Sequence, residues 1–539
     1  MAGVVAAGHR LTAKAGNEIL SAGGNAFDGA IASLLAACVV EPTLTSLGGG
    51  GFLLAHQSEN HTDTLFDFFT QTPQSRLTCS KPDFYPIEAN FGDTVQEFHI
   101  GLASIAVPGL LAGALTVHKR LGRLPLKVVA EPAITFARDG VTISDFQGYC
   151  YELLDSILMA TPASREIYAP TGVRLRAGEQ LQMTQFADTL EYLAGLGDQG
   201  AKRAFYEGEI AQKIVKDCSE QGGYLTLSDF RDYQVIERAP LKINYRGVQM
   251  LTNPPPSAGG ALIAFCLELL NQFDLGAMTF GSAPHLTLLS QAMRWTNESR
   301  RSHLDTSLFD SDIVGRFLST DLISKYAQPL NNLMNKGLNR WGSTTHISVM
   351  DDEGNAASVT SSNGEGASYV VPGTQIMMNN MLGEEDLNPH GFNNWPLGQR
   401  MSSMMAPTMI LRNERPQLVL GSGGSNRIRS AILQVICNVL DFGMSMKEAV
   451  NAPRIHWENG VFHLEPDLNM NMPDVPNSAW LGATALFSTE ESGTEEFGTE
   501  EVVQWQQTNM FFGGVHTVGL MDVGLEGAGD PRRSGAVER

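Results

Sequence analysis

The stretch Ser343-Thr344-Thr345-His346-Ile347-Ser348-Val349-Met350-Asp351 marks the point where the chain changes texture. Upstream, residues 100–340 read mostly as helices. Downstream come short runs rich in apolar and β-branched residues: THISVMD, NAASVTS, GTQIMMNN, PTMILR and PQLVLGS. Such runs, bounded by turn residues, read as strands, and the RNER segment at 412–415 reads as a hairpin turn. NRIRSAILQVICNVLDFG then spaces its apolar residues as a helix does. Residues 344–460 are therefore expected to form a sheet with a helix packed on it.

The first hundred residues alternate helix-like and strand-like stretches. HRLTAKAGNEILSAGG stops at Gly23-Gly24, and NAFDGAIASLLAACVV reads as a helix buried on most faces. Asn25 is its expected N-cap, with Asp28 in the first turn. In SLGGGGFLLAH, Gly48 to Gly51 precede a strand. Their backbone N–H groups could cradle a ligand, but close packing of backbones explains them equally. No Gly-Lys-Ser/Thr follows, so this is no P-loop, and a strand rather than a helix comes next, so it is no dinucleotide fingerprint. In TNPPPSAGGALIAF, Pro254 to Pro256 hold an extended segment, and Gly259-Gly260 lead into a helix.

Of 539 residues, 43% are hydrophobic and 18% charged, a globular balance. Lys and Arg number 37 against 58 Asp and Glu, giving −21. That charge excludes a general nucleic-acid binder and an anionic membrane surface, since both need clustered Lys and Arg. The excess is uneven: residues 1–343 carry net −7 and residues 344–539 carry net −14. Part of it is a Thr-Glu-Glu repeat within 488–501, whose five-residue period fits neither helix nor strand. Its like charges repel, which suggests a flexible acidic loop. The six cysteines are scattered with no CxxC pair, and no ligand cluster implies a metal or cofactor. The longest apolar run, AIASLLAACVV, is too short to span a bilayer. The first residues lack a basic n-region followed by an apolar h-region. A cytoplasmic location is expected, or a periplasmic or secreted one if a leader is missing.

Three segments could carry chemistry. Ser343-Thr344-Thr345-His346 opens a strand. Arg400-Met401-Ser402-Ser403-Met404 places adjacent serines before a new strand. Gly421-Ser422-Gly423-Gly424-Ser425-Asn426-Arg427 is a glycine-rich strand-to-helix turn. Such a turn can aim backbone N–H groups at a developing oxyanion. Singly, each has a plain alternative: β propensity for the threonines, a turn or cap for the serines, packing for the glycines. His346 reads as a structural side chain rather than a general base.

Taken in order, the three segments resemble the γ-glutamyltransferase (γ-glutamyltranspeptidase) family of self-cleaving N-terminal-nucleophile hydrolases. The resemblance runs from AGGNAFDGAIASLLAACVVEPTLTSLGGGGFLLAH through ASIAVPGLLAGALTVHKRLGRLPLKVVAEPAITFARDG and NPPPSAGG. It continues to TTHISVMDDEGNAASVT, RMSSMMAPT, GSGGSNRI and KEAVNAPRIHW. It implies an α+β fold: a four-layer αββα sandwich of two stacked antiparallel sheets flanked by helices. It also implies cleavage of the Ser343–Thr344 bond, giving a large chain 1–343 and a small chain 344–539 from one precursor. The freed Thr344 would be both nucleophile and, through its α-amine (ordinary pKa ~7.7–8.0), base. An amide donor would acylate Thr344, and water or an acceptor amine would release the acyl group.

The resemblance further implies supporting roles. Backbone N–H groups of Gly424 and Ser425 form the oxyanion hole, Ser425 standing where the family has a second glycine. Ser402 and Ser403 hydrogen-bond the substrate α-carboxylate. Thr360 is the Thr of the VT strand, and Ser362 takes the family's supporting Thr position. Asn363 follows in a loop about two residues shorter than the family's. Counting from Asn379-Asn380 selects Glu384 as the acid that holds the substrate α-amino group.

One departure stands out. Family γ-glutamyl enzymes carry an Arg in a segment Asp-Phe-Arg-Glu-x-x-Pro. This chain reads Asp67-Phe68-Phe69-Thr70-Gln71-Thr72-Pro73, with Phe69 at the Arg position. Phe cannot reproduce a bidentate Arg–carboxylate contact; Arg76 and Arg400 are the candidates to replace it. The leading expectation is a γ-glutamyltransferase and glutathione hydrolase acting on a small γ-glutamyl substrate. The alternatives are a member with another acyl donor, such as a cephalosporin acylase, and an uncleaved, inactive homologue.

Overall fold

The computed structural model describes residues 2–76, 81–90, 95–327, 343–388, 391–458, 460–468, 501–521 and 524–539. Its centre is two antiparallel sheets. The seven-stranded sheet runs Ala536–Glu538, Gly3–Ala7, Thr345–Asp351, Ala356–Ser362, Gly50–Gln57, Thr62–Phe68 and Ile236–Arg238. The six-stranded sheet runs Gly524–Ala528, Gly514–Met521, Arg415–Gly423, Thr408–Arg412, Val248–Thr252 and Leu241–Tyr245. With many helices beside them, the chain is α+β.

Both faces of the interior strands are covered. In Gly3–Ala7, Val5 and Ala7 pack with the helices Arg10–Ser21 and Ala26–Val40, while Val4 and Ala6 join the core shared with the second sheet. This is the period-2 alternation of a strand, with apolar residues on both sides. The Thr345–Asp351 strand is buried at every position. It packs against Arg415–Gly423 and Gly514–Met521, and Ala356–Ser362 packs against Arg415–Gly423. The helices Ala258–Leu270 and Arg427–Leu440 pack on each other and on the second sheet.

Local expectations meet varied outcomes. Asn25 caps Ala26–Val40 in a capping box, its side chain accepting from the N–H groups of Phe27 and Asp28. Every residue of that helix is buried, as its unbroken apolar run requires. The turn at 412–415 is a two-residue hairpin loop, with Asn413 and Glu414 at φ 52° and 61°. The single sheet expected over 344–460 is corrected. THISVMD and NAASVTS enter the first sheet, PTMILR and PQLVLGS the second, and Ile376–Met377 pairs only with Val370–Val371. Period-2 alternation says that a strand is half or fully buried, but not against which neighbour. Of the acidic repeat, only Glu501 falls among the described residues, opening the strand Glu501–Gln504. No helix among the described residues is long and apolar enough to cross a membrane.

Candidate active site

Thr344 immediately precedes the Thr345–Asp351 strand, whose start is fixed in three ways. Thr345 pairs with Ser361 across the ladder. Its hydroxyl donates to the buried carboxyl of Glu41 at 2.7 Å, which also accepts from Thr12 at 2.6 Å. Arg533, from a turn near the C-terminus, donates to the Thr344 carbonyl at 3.3 Å. His346 lies under this end, fully buried, with its ring nitrogens on Thr360 (2.8 Å) and Ser348 (2.9 Å). Burial drives its pKa well below the ordinary value, so it stays neutral and structural.

The residue before Thr344 is held as firmly. Ser343 donates its N–H to Glu365 Oε1 at 2.9 Å and its hydroxyl to Glu365 Oε2. The Ser343 carbonyl accepts from Ser362 Oγ at 2.6 Å. The peptide bond between Ser343 and Thr344 is thus gripped at its carbonyl and on both flanks. Glu365 is buried, and desolvation pushes its pKa up; its bonds to Ser343 and the charge of Arg533 partly oppose this.

One cleft gathers Ser343, Thr344, Ser362, Glu384, Ser402, Ser403 and Ser425, with Phe69, Arg300, Asp305 and Asp386 also in its lining. Gly424 and Asn363 are not among the lining residues. Gly424 sits at φ 124° between Gly423 and Ser425. A side chain on Gly423 would strike the Thr344 carbonyl, its Cβ coming within 2.1 Å of the oxygen. The turn therefore runs directly past the Thr344 backbone, and the helix Arg427–Leu440 starts just beyond it. Ser425 itself is left-handed at φ 49°, and its hydroxyl donates to Asp386 at 3.0 Å. Asn363 is buried and donates to the Met378 carbonyl at 3.4 Å.

Glu384 lines the cleft, and its Oε1 has no hydrogen-bond partner. Desolvation, then the neighbouring carboxylates of Glu365 and Asp386, raise its pKa well above the ordinary range. Gly48 to Gly51 serve packing: side chains at 49 and 51 would each come within 2.4 Å of a carbonyl oxygen, of Ser362 and Thr360 respectively.

Phe69 stacks on Phe52 with ring centres 5.5 Å apart. The two arginines considered as its substitutes are engaged elsewhere. Arg76 donates to the Trp395 carbonyl at 2.6 Å and lies over that ring. Arg400 donates to Phe69, Tyr233 and Gln234 and lies over Tyr233. Neither is among the residues lining the cleft. Glu365, Arg300, Asp305 and Arg533 were not singled out from sequence. For Glu365 a signal existed: a lone carboxylate between Gly364 and Gly366, directly after the Thr360–Ser362 strand end.

Two face-packed antiparallel sheets thus carry a threonine at the head of an interior strand, in a polar cleft. The family model for γ-glutamyltranspeptidase matches residues 12–539, and the chain belongs to that family. It is 31% identical over 477 residues to the glutathione hydrolase proenzyme of Escherichia coli (strain K12), covering 84% of this chain and 80% of that protein. It is 31% identical over 475 residues to the acylase ACY 1 proenzyme of Pseudomonas sp. (strain V22), covering 86% and 84%. Among solved structures, a cephalosporin acylase from Bacillus halodurans shares the fold with TM-score 0.82 and 24% identity, covering 100% of this chain and 95% of that one. The γ-glutamyltranspeptidase of Helicobacter pylori aligns over 60% of this chain and 91% of its own, with TM-score 0.52 and 27% identity.

Proposed function

We propose that this chain cuts itself between Ser343 and Thr344 and then works as an amidohydrolase and acyltransferase on γ-glutamyl donors, through an acyl-enzyme on Thr344. The observation that carries the reading is the grip on that bond, in the cleft that holds Ser402, Ser403 and Ser425. The contacts between the two sheets and their flanking helices support the four-layer αββα order, with 1–343 and 344–539 as the interleaved large and small chains.

In the first reaction the Thr344 hydroxyl adds to the Ser343 carbonyl. The Ser362 hydroxyl, already donating to that oxygen, stabilises the charge that develops there. Collapse breaks the C–N bond, the hydroxyl proton passing to the leaving nitrogen, and leaves an ester on Thr344 Oγ and a free α-amine. Water hydrolyses the ester, and Ser343 becomes a C-terminal carboxylate.

In the second reaction the Thr344 α-amine takes the hydroxyl proton as Thr344 Oγ attacks the donor amide. The N–H groups of Gly424 and Ser425 receive the oxyanion. The ammonium returns its proton to the leaving amine. Water or an acceptor amine then attacks the ester, and Thr344 Oγ leaves with a proton. Ser402 and Ser403 bind the donor carboxylate. Glu384, with its Oε1 unpartnered and two other carboxylates beside it, takes the donor ammonium, whose charge would favour its ionised form. Asn363 supports this end of the cleft through its strand-end loop.

A second reading has its own support: Phe69 at the cleft and the likeness to acylase ACY 1 favour a donor other than γ-glutamyl, as in a cephalosporin acylase. One experiment addresses both. On a denaturing gel the wild type should resolve into two chains, and Thr344→Ala should stay a single 58.3 kDa band without turnover. Unchanged self-cleavage in Thr344→Ala would sink both readings. Turnover of aromatic acyl anilides beside an untouched γ-glutamyl anilide would retire the first.

A further inference from the structure

We propose that Arg300 supplies the carboxylate contact that Phe69 cannot, and that the acyl donor of this enzyme therefore carries a free carboxylate. The inference rests on Thr344 being the acylated nucleophile. Arg300 is the one cationic side chain among the described residues that line the cleft. It follows the helix Ala283–Ser299 and opens a π-helical turn, Arg300–Leu304, a wide form of helix frequent at functional sites. Its Nε donates to Asp305 Oδ1 at 2.9 Å. Asp305 is its hydrogen-bond partner among the described residues, and the side chain keeps about a fifth of its surface exposed.

The arrangement suits a binding arginine. A guanidinium carries five donors in a rigid fork. Asp305 engages one edge and fixes the plane, which leaves another edge for a second carboxylate. The same cleft holds Ser402 and Ser403, whose hydroxyls add donors. It also holds Glu384, whose Oε1 has no hydrogen-bond partner. A cation and an acid in one cleft match the two charges of an α-amino-acid head group. Arg76 and Arg400 do not line the cleft, and their guanidinium donors are taken by the carbonyl of Trp395 and by Phe69, Tyr233 and Gln234 respectively. Phe69, stacked on Phe52, then acts as wall rather than clamp.

The test is a substrate comparison on self-cleaved enzyme. Three anilides differ by one group each: γ-glutamyl, glutaryl (no α-amine) and 4-aminobutanoyl (no carboxylate). Wild type should prefer γ-glutamyl to 4-aminobutanoyl. In Arg300→Ala the KM for both carboxylate-bearing donors should rise roughly 10- to 100-fold, the usual effect of a lost charge-assisted hydrogen bond. The γ-glutamyl preference over 4-aminobutanoyl should collapse by the same factor, and Arg300→Lys should restore part of it. Self-cleavage reports whether each variant folds, and Arg300→Gln keeps the length if Ala disturbs the wall. A preference that survives in Arg300→Ala, or an equal loss on all three anilides, overturns the inference while leaving the Thr344 reading intact. A wild type that self-cleaves yet leaves all three anilides untouched overturns the donor reading, and this inference with it.

Discussion

Ser343 makes three hydrogen bonds with two side chains, and each is placed where the reaction needs it. The bond from Ser362 lands on the carbonyl that must accept negative charge. Removing one oxyanion donor costs ~10²–10³ in rate where it has been measured. Ser362→Ala should therefore slow self-cleavage by about that factor, read by following the two chains on a gel; a change under ~3-fold would contradict the role. The pair accepted by Glu365 has a pH signature. Its folded pKa is raised, so on raising the pH the unfolded chain loses the proton first. Stability then falls as pH climbs from the ordinary carboxylate range toward neutrality. In the uncut Thr344→Ala protein, Glu365→Gln should remove that loss. Its melting temperature relative to the parent should be higher at about pH 8 than at about pH 5; an equal difference at both would refute a carboxyl whose pKa is raised by folding. At this scale the polar residues of the cleft were legible because they come as short ordered runs, Thr344-Thr345, Ser402-Ser403 and Gly423-Gly424-Ser425. Arg300, Asp305 and Arg533 were not. Each is a charged residue in a segment with no recognisable motif, and only the folded chain carries it to the cleft or to Thr344.

Among the elements, caps and tight turns were the most readable, because their chemistry is local. Asn25 and Asp28 complete a capping box within four residues, and the RNER turn needs only its two flanking strands. The division of strands between sheets was not readable, since Thr345–Asp351 and Thr408–Arg412 present similar apolar runs and differ only in distant partners. The hairpin offers a clean test. Glu414 is exposed and left-handed at φ 61°, a conformation that costs a non-glycine residue ~1–2 kcal/mol. Asn-Gly is the preferred pair for such two-residue turns. Glu414→Gly should stabilise the uncut protein by about 0.5–1 kcal/mol in urea unfolding, after the entropy of the added glycine is set against the relieved strain. A destabilised variant would mean the turn is held by something other than its backbone.

Across the whole molecule, the proposed cut falls between parts that remain woven together. Gly3–Ala7 pairs with Thr345–Asp351 on one side and Ala536–Glu538 on the other. Ala356–Ser362 pairs with Gly50–Gln57. The two chains should therefore co-migrate under native conditions, for instance in size exclusion, and separate only on denaturation. A free 344–539 fragment in native buffer would contradict this topology. The family membership was legible from the order of motifs along the chain, because so many ordered matches constrain one another. The acyl donor was not, because its recognition depends on residues remote in sequence.

The strand Gly3–Ala7, held between two segments of the other chain, also changes what unfolding means. Before the cut, losing the fold is an isomerisation of one molecule, and its midpoint is independent of concentration. After the cut it is a dissociation, so the midpoint should fall on dilution. The mature enzyme would then be assembled once, from a precursor whose covalent link it has since discarded.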